Sequence, residues 1–293
     1  MSRYSIRELE KLSGIKAHTI RIWEKRYNII QPKRTDTNIR YYSNSDLKKL
    51  LNITILNRQG WKISEIAKLD KDEITEKVMN FTYNSQDTES QIEKLIIAMV
   101  DLDETKFDQI ISNAIMHDGF EQTIIKLIFP LFKKIGLLWQ TGSINPAQEH
   151  FVSNLFRQKL MVAIDNLMIP DKKNAKSFIL FLPEDEFHEL GLLFYNYLIK
   201  KSGNSVIYLG SSVPFSDLLT TGKVIQPDYL FTSITTTFSA KELKKYITDL
   251  ANFFTRQTIF ITGIKIHEIE IDLPANVETI SSPLEFSERL KLL

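Results

Sequence analysis

The stretch Glu186-Phe187-His188-Glu189-Leu190-Gly191 sets a carboxylate, an imidazole and a glycine at Glu-x-His-x-x-Gly spacing. It follows an apolar run, Phe178 to Leu182, and precedes a helical pattern, so the imidazole falls at a strand-to-helix turn. That arrangement suits metal ligation. The carboxylate takes one ring N–H, fixes the tautomer and raises the basicity of the other nitrogen. The glycine lets a bulky ligand approach the backbone. Alone, such a stretch is more often a solvated loop histidine beside acids. A second constellation is Trp139, nine residues, then Glu149-His150. Trp139 ends one helical pattern and the pair opens the next, so all three can share one end of a bundle and suit a flat polar ligand. The plainer readings are a core aromatic and a carboxylate matched to a helix dipole.

The chain that must position these groups has 293 residues, room for roughly two domains, and 43% hydrophobic content, enough for real cores. It has no cysteine, which excludes disulfides, thiolate zinc sites and cysteine nucleophiles. No apolar run is long enough to span a bilayer, and the first residues lack a signal-peptide pattern, so a cytoplasmic protein is expected. The net charge of +1 hides an asymmetry. Residues 1–69 carry 15 Lys+Arg against 6 Asp+Glu, and the remainder 22 against 30. A basic head on an acidic body suggests that one end meets a polyanion.

In the head, Ile6, Leu9 and Leu12 have helical spacing behind Ser5, a candidate N-cap. A turn at Ser13-Gly14-Ile15 leads to a second helix, Ala17 to Tyr27, carrying His18, Thr19 and Arg21, with Ile20 and Trp23 inward. Two short helices about a glycine turn make a helix-turn-helix, whose second helix would enter a major groove. Residues 29–42 read as a hairpin or wing: Lys33, Arg34 and Arg40 can hold phosphates, and Tyr41 or Tyr42 can pack on sugar. A third helix runs to about Arg58 and a short fourth covers Ser64–Lys68.

Thr19-Ile20-Arg21-x-Trp23-Glu24-x-Arg26-Tyr27, Pro32-x-Arg34-Thr35, Arg40-Tyr41-Tyr42-Ser43 and Asp46-Leu47 together resemble the winged helix-turn-helix of MerR-type transcription regulators. The resemblance implies a homo-oligomer on a palindromic double-stranded DNA operator, with Arg21, Arg34, Arg40, Tyr41 and Tyr42 at DNA-contacting positions.

Asp70 to Asp87 is polar and mixed, and reads as a helix end and linker. Amphipathic patterns follow at about Thr88–Asp101, Glu104–Met116, Phe120–Trp139 and Pro146–Met168, joined by short loops, which predicts an antiparallel four-helix bundle. Pro130 would kink the third. From Ala175 the pattern changes to short β-rich runs, Ser177–Leu182, Ser205–Leu209, Tyr229–Ser233, Thr258–Thr262 and Val277–Ile280, alternating with helical stretches. This predicts a doubly wound parallel sheet with ligands beyond the strand C-terminal ends. In a flavodoxin-like order the first and third strands are neighbours, so His188 and Ser233 would share a crevice. No Gly-x-Gly-x-x-Gly or Walker loop is present, against dinucleotides and nucleoside triphosphates. The expected domains are 1–72 (all-α winged helix-turn-helix), 73–87 (helix end and linker), 88–170 (four-helix bundle) and 174–293 (α/β, flavodoxin-like, Rossmann-type).

Glu-x-His-x-x-Gly, then 41 residues, Ser233-x-Thr235, then 27 residues, Gly263, resembles a cobalamin-binding module that reads Asp-x-His-x-x-Gly, Ser-x-Leu/Thr and Gly-Gly. The resemblance implies that His188 ligates cobalt, Glu186 supports it, and Gly191, Ser233, Thr235 and Gly263 line the ligand's path. Trp139 with Glu149-His150 resembles the cap over the upper face in MerR-type cobalamin regulators of the CarH/LitR group. Three positions differ. Glu186 stands for Asp, one methylene longer; Ile264 replaces the second Gly, where a branched side chain would narrow the slot for the nucleotide tail; Gln140 stands where light-responsive members place a His. The expected protein is a cobalamin-responsive regulator rather than an enzyme, with a vitamin-independent scaffold on a DNA-binding head as the alternative.

Overall fold

The computed structural model describes residues 3–35, 37–82, 87–140, 144–168, 173–236, 238–268 and 272–293, without the side chains at 79–82, 137–140 and 268. The chain forms two compact units, Met1–Leu155 and Phe156–Leu293.

The first unit opens with α1 (Ile6–Ser13), started by the predicted cap: Ser5 and Glu8 exchange bonds in a capping box, and Gly14 closes the helix at φ 71°. The helix α2 (Ala17–Tyr27) buries Ile20 and Trp23, as their spacing requires. The wing is a pair of two-residue antiparallel strands, β1 (Lys33–Arg34) and β2 (Arg40–Tyr41). A bridge between Tyr4 and Tyr42 ties its base to the N-terminus. Next come α3 (Asn44–Arg58), capped by Ser43 and Asp46, and a short α4 (Ile63–Ile66). Where the composition suggests a helix end and linker, a full helix stands instead: α5 (Lys71–Thr82). Its polar surface hides a narrow stripe, Ile74 and Val78, buried one turn apart.

The predicted bundle helices follow as α6 (Thr88–Asp101), α7 (Glu104–Asp118), a third pattern in three pieces, and α10 (Pro146–Asp165). Asp87 and Asp103 cap α6 and α7 through their side chains. Every residue from Ile92 to Val100 is buried, because α6 packs against α3, α7 and the third pattern at once. That third pattern is α8 (Phe120–Thr123), a π segment Ile124–Ile128, and α9 (Phe129–Gln140). The irregularity precedes Pro130, which has no N–H to give and whose ring crowds the turn before it. Widening that turn, with the Phe129 N–H reaching Ile124 O, accommodates the ring.

The second unit is the predicted alternation: β3 (Ser177–Pro183), α11 (Glu189–Lys201), β4 (Ser205–Val213), α12 (Phe215–Ile225), β5 (Tyr229–Ser233), α13 (Ala240–Phe253), β6 (Thr258–Thr262), α14 (Ile264–Glu268), β7 (Val277–Thr279) and α15 (Pro283–Leu292). All five strands are parallel, in the order β4-β3-β5-β6-β7. This is the flavodoxin-like order, so β3 and β5 are neighbours. Phe178 to Pro183, Leu230 to Ser233 and Ile259 to Thr262 are buried, the continuous apolar runs that helices on both faces demand. Ile179, Phe181, Ile259 and Ile261 pack against Leu243, Ile247 and Leu250 of α13.

At the end of β6, Gly263 has φ 109°, and a Cβ there would lie 2.2 Å from Ile234 O. Only glycine fits, because the β5 loop crosses directly over it. Gly263→Ala is expected to cost about 2 kcal/mol or more through strain and backbone displacement. Urea unfolding of the full chain reads this directly; an unchanged midpoint would refute the close approach.

Candidate functional site

The second unit gathers its polar side chains at the C-terminal ends of β3 and β5, where the chain order reverses. After β3 the backbone turns through Asp185 in the left-handed region, φ 64°. The end of β4 steadies this turn: the Asp185 N–H donates to Ser212 Oγ at 3.1 Å, and the Ser212 N–H to Glu186 O at 3.1 Å. The Glu186 side chain thus points inward and is fully buried. His188 sits at the N-cap position of α11.

Glu186 is the hub. Its Oε1 meets His188 Nδ1 at 2.5 Å and accepts the N–H groups of Phe187 and His188 at 3.1 and 3.2 Å. Its Oε2 accepts the N–H groups of Thr235 and Thr236, in the loop after β5, at 2.8 and 2.9 Å. Burial alone would raise the carboxyl's pKa. The bonds from His188 and from the Thr236, Thr235 and His188 amides outweigh that and hold it down at about 2. The acid therefore stays ionised and holds the proton of His188 on Nδ1, an arrangement that suits Nε2 to ligation. The glutamate side chain reaches the imidazole with one oxygen and the β5 loop with the other.

The remaining residues fit the same end of the sheet. Gly191 lies in the first turn of α11, and a Cβ there would meet no atom within 4 Å. Packing does not require this glycine; it leaves open space beside the histidine. Ser233 closes β5 and is buried, next to Thr232, whose buried hydroxyl has no hydrogen-bond partner among the described residues. Thr235 serves through its backbone rather than the hydroxyl its type suggests. Ile264 opens α14 and is 60% exposed, so it lies outside the sheet core.

Thr236, Ser212 and Glu189 escape a reading of types and spacing. Glu189 accepts from Arg157 and from the Tyr208 hydroxyl, the latter at 2.9 Å, bracing the start of α11. Nothing local announces that network; Thr236 and Ser212 act through loops that only the strand order brings together.

Trp139, Glu149 and His150, the residues expected to form a cap, lie in the first unit. Glu149 and His150 pair in the first turn of α10, His150 Nδ1 at 2.9 Å from Glu149 Oε2, and Glu149 also accepts from Ser153. Trp139 lies on α9, and its side chain is outside the described residues, as is that of Gln140.

On the head, His18 and Arg21 are exposed along α2 and Lys33, Arg34 and Arg40 along the wing. The Thr19 hydroxyl lies 3.3 Å from His18 Nε2, and Arg34 donates to Asn38 Oδ1 at 2.5 Å. Tyr41 is half-buried, under the Arg3 guanidinium at 4.8 Å. Tyr42 departs from expectation. It is fully buried and donates to Glu24 Oε1 at 2.5 Å, so it locks wing to helix and offers no face to a sugar. Alternation along the strand turns Tyr41 out and Tyr42 in.

A cobalamin fits what is present. Among the described residues no group of three or more His, Cys, Asp or Glu is placed to hold a bare metal ion. The site offers one oriented imidazole, which suits an ion already held in its own macrocycle. Gly191 lies in the first turn of the helix that His188 caps, and Ser233 ends the strand beside β3.

The depressed acid carries a pH dependence. Glu186 contributes stability that is fully present above the ordinary glutamate range, near 4.5, and drains as the pH falls towards about 2. Glu186→Gln should cost on the order of 2 kcal/mol at neutral pH and flatten this acid limb. Urea midpoints taken from about pH 6 to about pH 3 check it; parallel wild-type and variant curves would refute it.

Comparison with known proteins bears on the fold and on the head and helical segments. The MerR HTH family regulatory protein family matches residues 4–73, and the B12 binding domain family matches residues 91–163. The chain is 28% identical over 259 residues to the HTH-type transcriptional repressor CarH of Myxococcus xanthus, covering 86% of each. It is 23% identical over 266 residues to the repressor CarA of the same organism, covering 90% of this chain and 87% of CarA. Among solved structures, the monomethylamine corrinoid protein of Methanosarcina barkeri shares the fold, with TM-score 0.55 at 18% identity, over 71% of this chain and all of that one. With both family matches in that order on one chain, and relatives alike along most of its length, the chain is a MerR-type regulator carrying a cobalamin-binding module, homologous to the CarH and CarA repressors.

Proposed function

We propose that this protein is a cytoplasmic transcription repressor whose oligomeric state and operator affinity respond to bound cobalamin. The observation that carries the reading is the pairing of His188 with buried Glu186, itself bonded to the β5 loop. It presents one imidazole nitrogen from a rigid base. Bound cobalamin would supply a cobalt ion for the His188 imidazole to ligate. The chain's own residues do the rest. Glu186 holds the Nδ1 proton, Gly191 leaves room for a macrocycle, and Ser233, Thr235 and Gly263 border the path of its nucleotide tail. Trp139, Glu149 and His150 are the proposed cap over the other face. Its working parts are the head, the helical bundle and the α/β domain. CarH and CarA being repressors supports regulation rather than catalysis. A ligand that binds one assembly state better than another shifts the population by that difference, and with it the avidity for a palindromic site.

Purified protein mixed with adenosylcobalamin in the dark and desalted should retain a corrinoid spectrum. His188→Ala should shift that spectrum or abolish retention, and light scattering should show the oligomer changing with the vitamin. No retained corrinoid would overturn the reading in favour of a vitamin-independent scaffold, for which Ile264 is the specific argument.

Exposed Lys33, Arg34 and Arg40 are the proposed phosphate contacts, with His18, Thr19 and Arg21 on the groove-facing helix and Tyr41 on sugar. Replacing any one wing cation by Ala should weaken operator and random DNA alike. It should also reduce the slope of log affinity against log salt by about 1. An unaltered slope in all three variants would remove the wing from the interface.

A further inference from the structure

The first unit contains a cavity of about 820 Å³ that neither DNA binding nor the cobalamin site uses. Its walls come from α3 and α5 of the head and from α6 and α7 of the bundle. The volume is that of a pocket for a small organic ligand.

Its charge is one-sided. Lys48, Lys49, Lys71, Lys94 and Lys106 line it, against Asp101 and Asp103. Both acids are already engaged: Asp101 pairs with Lys48 at 2.5 Å, and Asp103 caps α7 by accepting the Lys106 N–H at 3.0 Å. The unusual member is Lys94, only 3% exposed, which forms no hydrogen bond or ion pair with any described residue. The preceding Glu93 does not serve it, lying instead 3.0 Å from the Arg58 guanidinium. Burial, with Lys106 acting the same way, pulls the Lys94 pKa down to about 8, although Asp87 and Glu93 act against it. An unpaired buried ammonium is costly, and an anion beside it would remove that cost. The uncharged wall combines an aliphatic patch, Ile74, Val78, Ile97 and Ile110, with amide and hydroxyl side chains such as Asn52, Thr75 and Gln109. Lysines beside an aliphatic patch call for a ligand with both characters.

We propose that this cavity binds a small amphipathic anion, a carboxylate or phosphate on an aliphatic body, with Lys94 and Lys49 meeting the charged end. Such a ligand would touch head and bundle helices together and so bear on how the recognition helix is held, independently of cobalamin.

The test is calorimetric titration of the full chain with decanoate, decyl phosphate and inorganic phosphate. One of the two amphiphiles should bind saturably, and which one identifies the charged end. Inorganic phosphate should bind at least tenfold more weakly than that amphiphile. Lys94→Met should weaken the binding by roughly tenfold or more, and Lys49→Ala by several-fold. Lys94→Met removes a buried charge, so its melting temperature should equal or exceed that of the parent, which separates lost binding from lost folding. Its retained corrinoid spectrum should match the parent's. Failure of both amphiphiles to bind, full affinity in the well-folded Lys94→Met protein, or inorganic phosphate binding as tightly as either amphiphile would overturn the proposal.

Discussion

One buried carboxylate makes the second unit's site a single object. Glu186 collects the imidazole N–H and four backbone N–H groups, two from its own turn and two from the loop after β5. Without it, the loops after β3 and β5 would end on neighbouring strands yet move separately. With it, the imidazole's tilt and the path of the β5 loop become one variable. The arrangement needs β3 beside β5, which the parallel order provides, and it needs an ion that remains an ion when buried. Charge-assisted bonds of this number supply that condition.

A contrast within the same chain shows that donor count decides. Glu93 on α6 is also fully buried, but its oxygens accept no hydrogen bond from the described residues, and Arg58 lies 3.0 Å away as an ion pair off the bonding line. Burial pushes its pKa up to about 8 despite the nearby guanidinium. Two glutamates with the same exposure therefore sit at opposite ends of the titration range. Only the one with donors from several directions is a permanent anion, and that one supports the proposed cobalt ligand. Tyr42 and Glu24 show a third outcome, in which a buried hydroxyl satisfies one carboxylate oxygen and joins the wing to α2.

Much of the fold was legible because its signals are local. Ser5 with Glu8, and Ser43 with Asp46, mark helix starts through side chains three residues apart. The runs at Tyr229–Ser233 and Thr258–Thr262 are strands to the residue, since buried parallel strands must be continuously apolar. What stayed hidden was non-local or masked by polarity. The stripe of α5 is too thin to stand out among Lys71, Asp72, Glu73 and Glu76. Tyr41 and Tyr42 look equivalent in a list of residue types, and only the register of the wing separates them. In the site, Glu186 and His188 declared their bond through spacing, whereas its second half depends on backbone amides, which carry no residue type. The cavity beneath the head was equally silent, because its lysines come from four helices.

The π segment at Ile124–Ile128 has a consequence for how this protein can change over time. A π turn is an α turn with one residue added, so the helix on either side of it differs in phase by about 100° from an uninterrupted one. Everything from Phe129 to Gln140 inherits that offset, Trp139 included. A single deletion in this segment would restore a regular helix and rotate the whole of α9 by more than a quarter turn, at little cost in helix energy. Insertions and deletions here are therefore a route by which related chains can redirect the proposed cap without touching any residue in it.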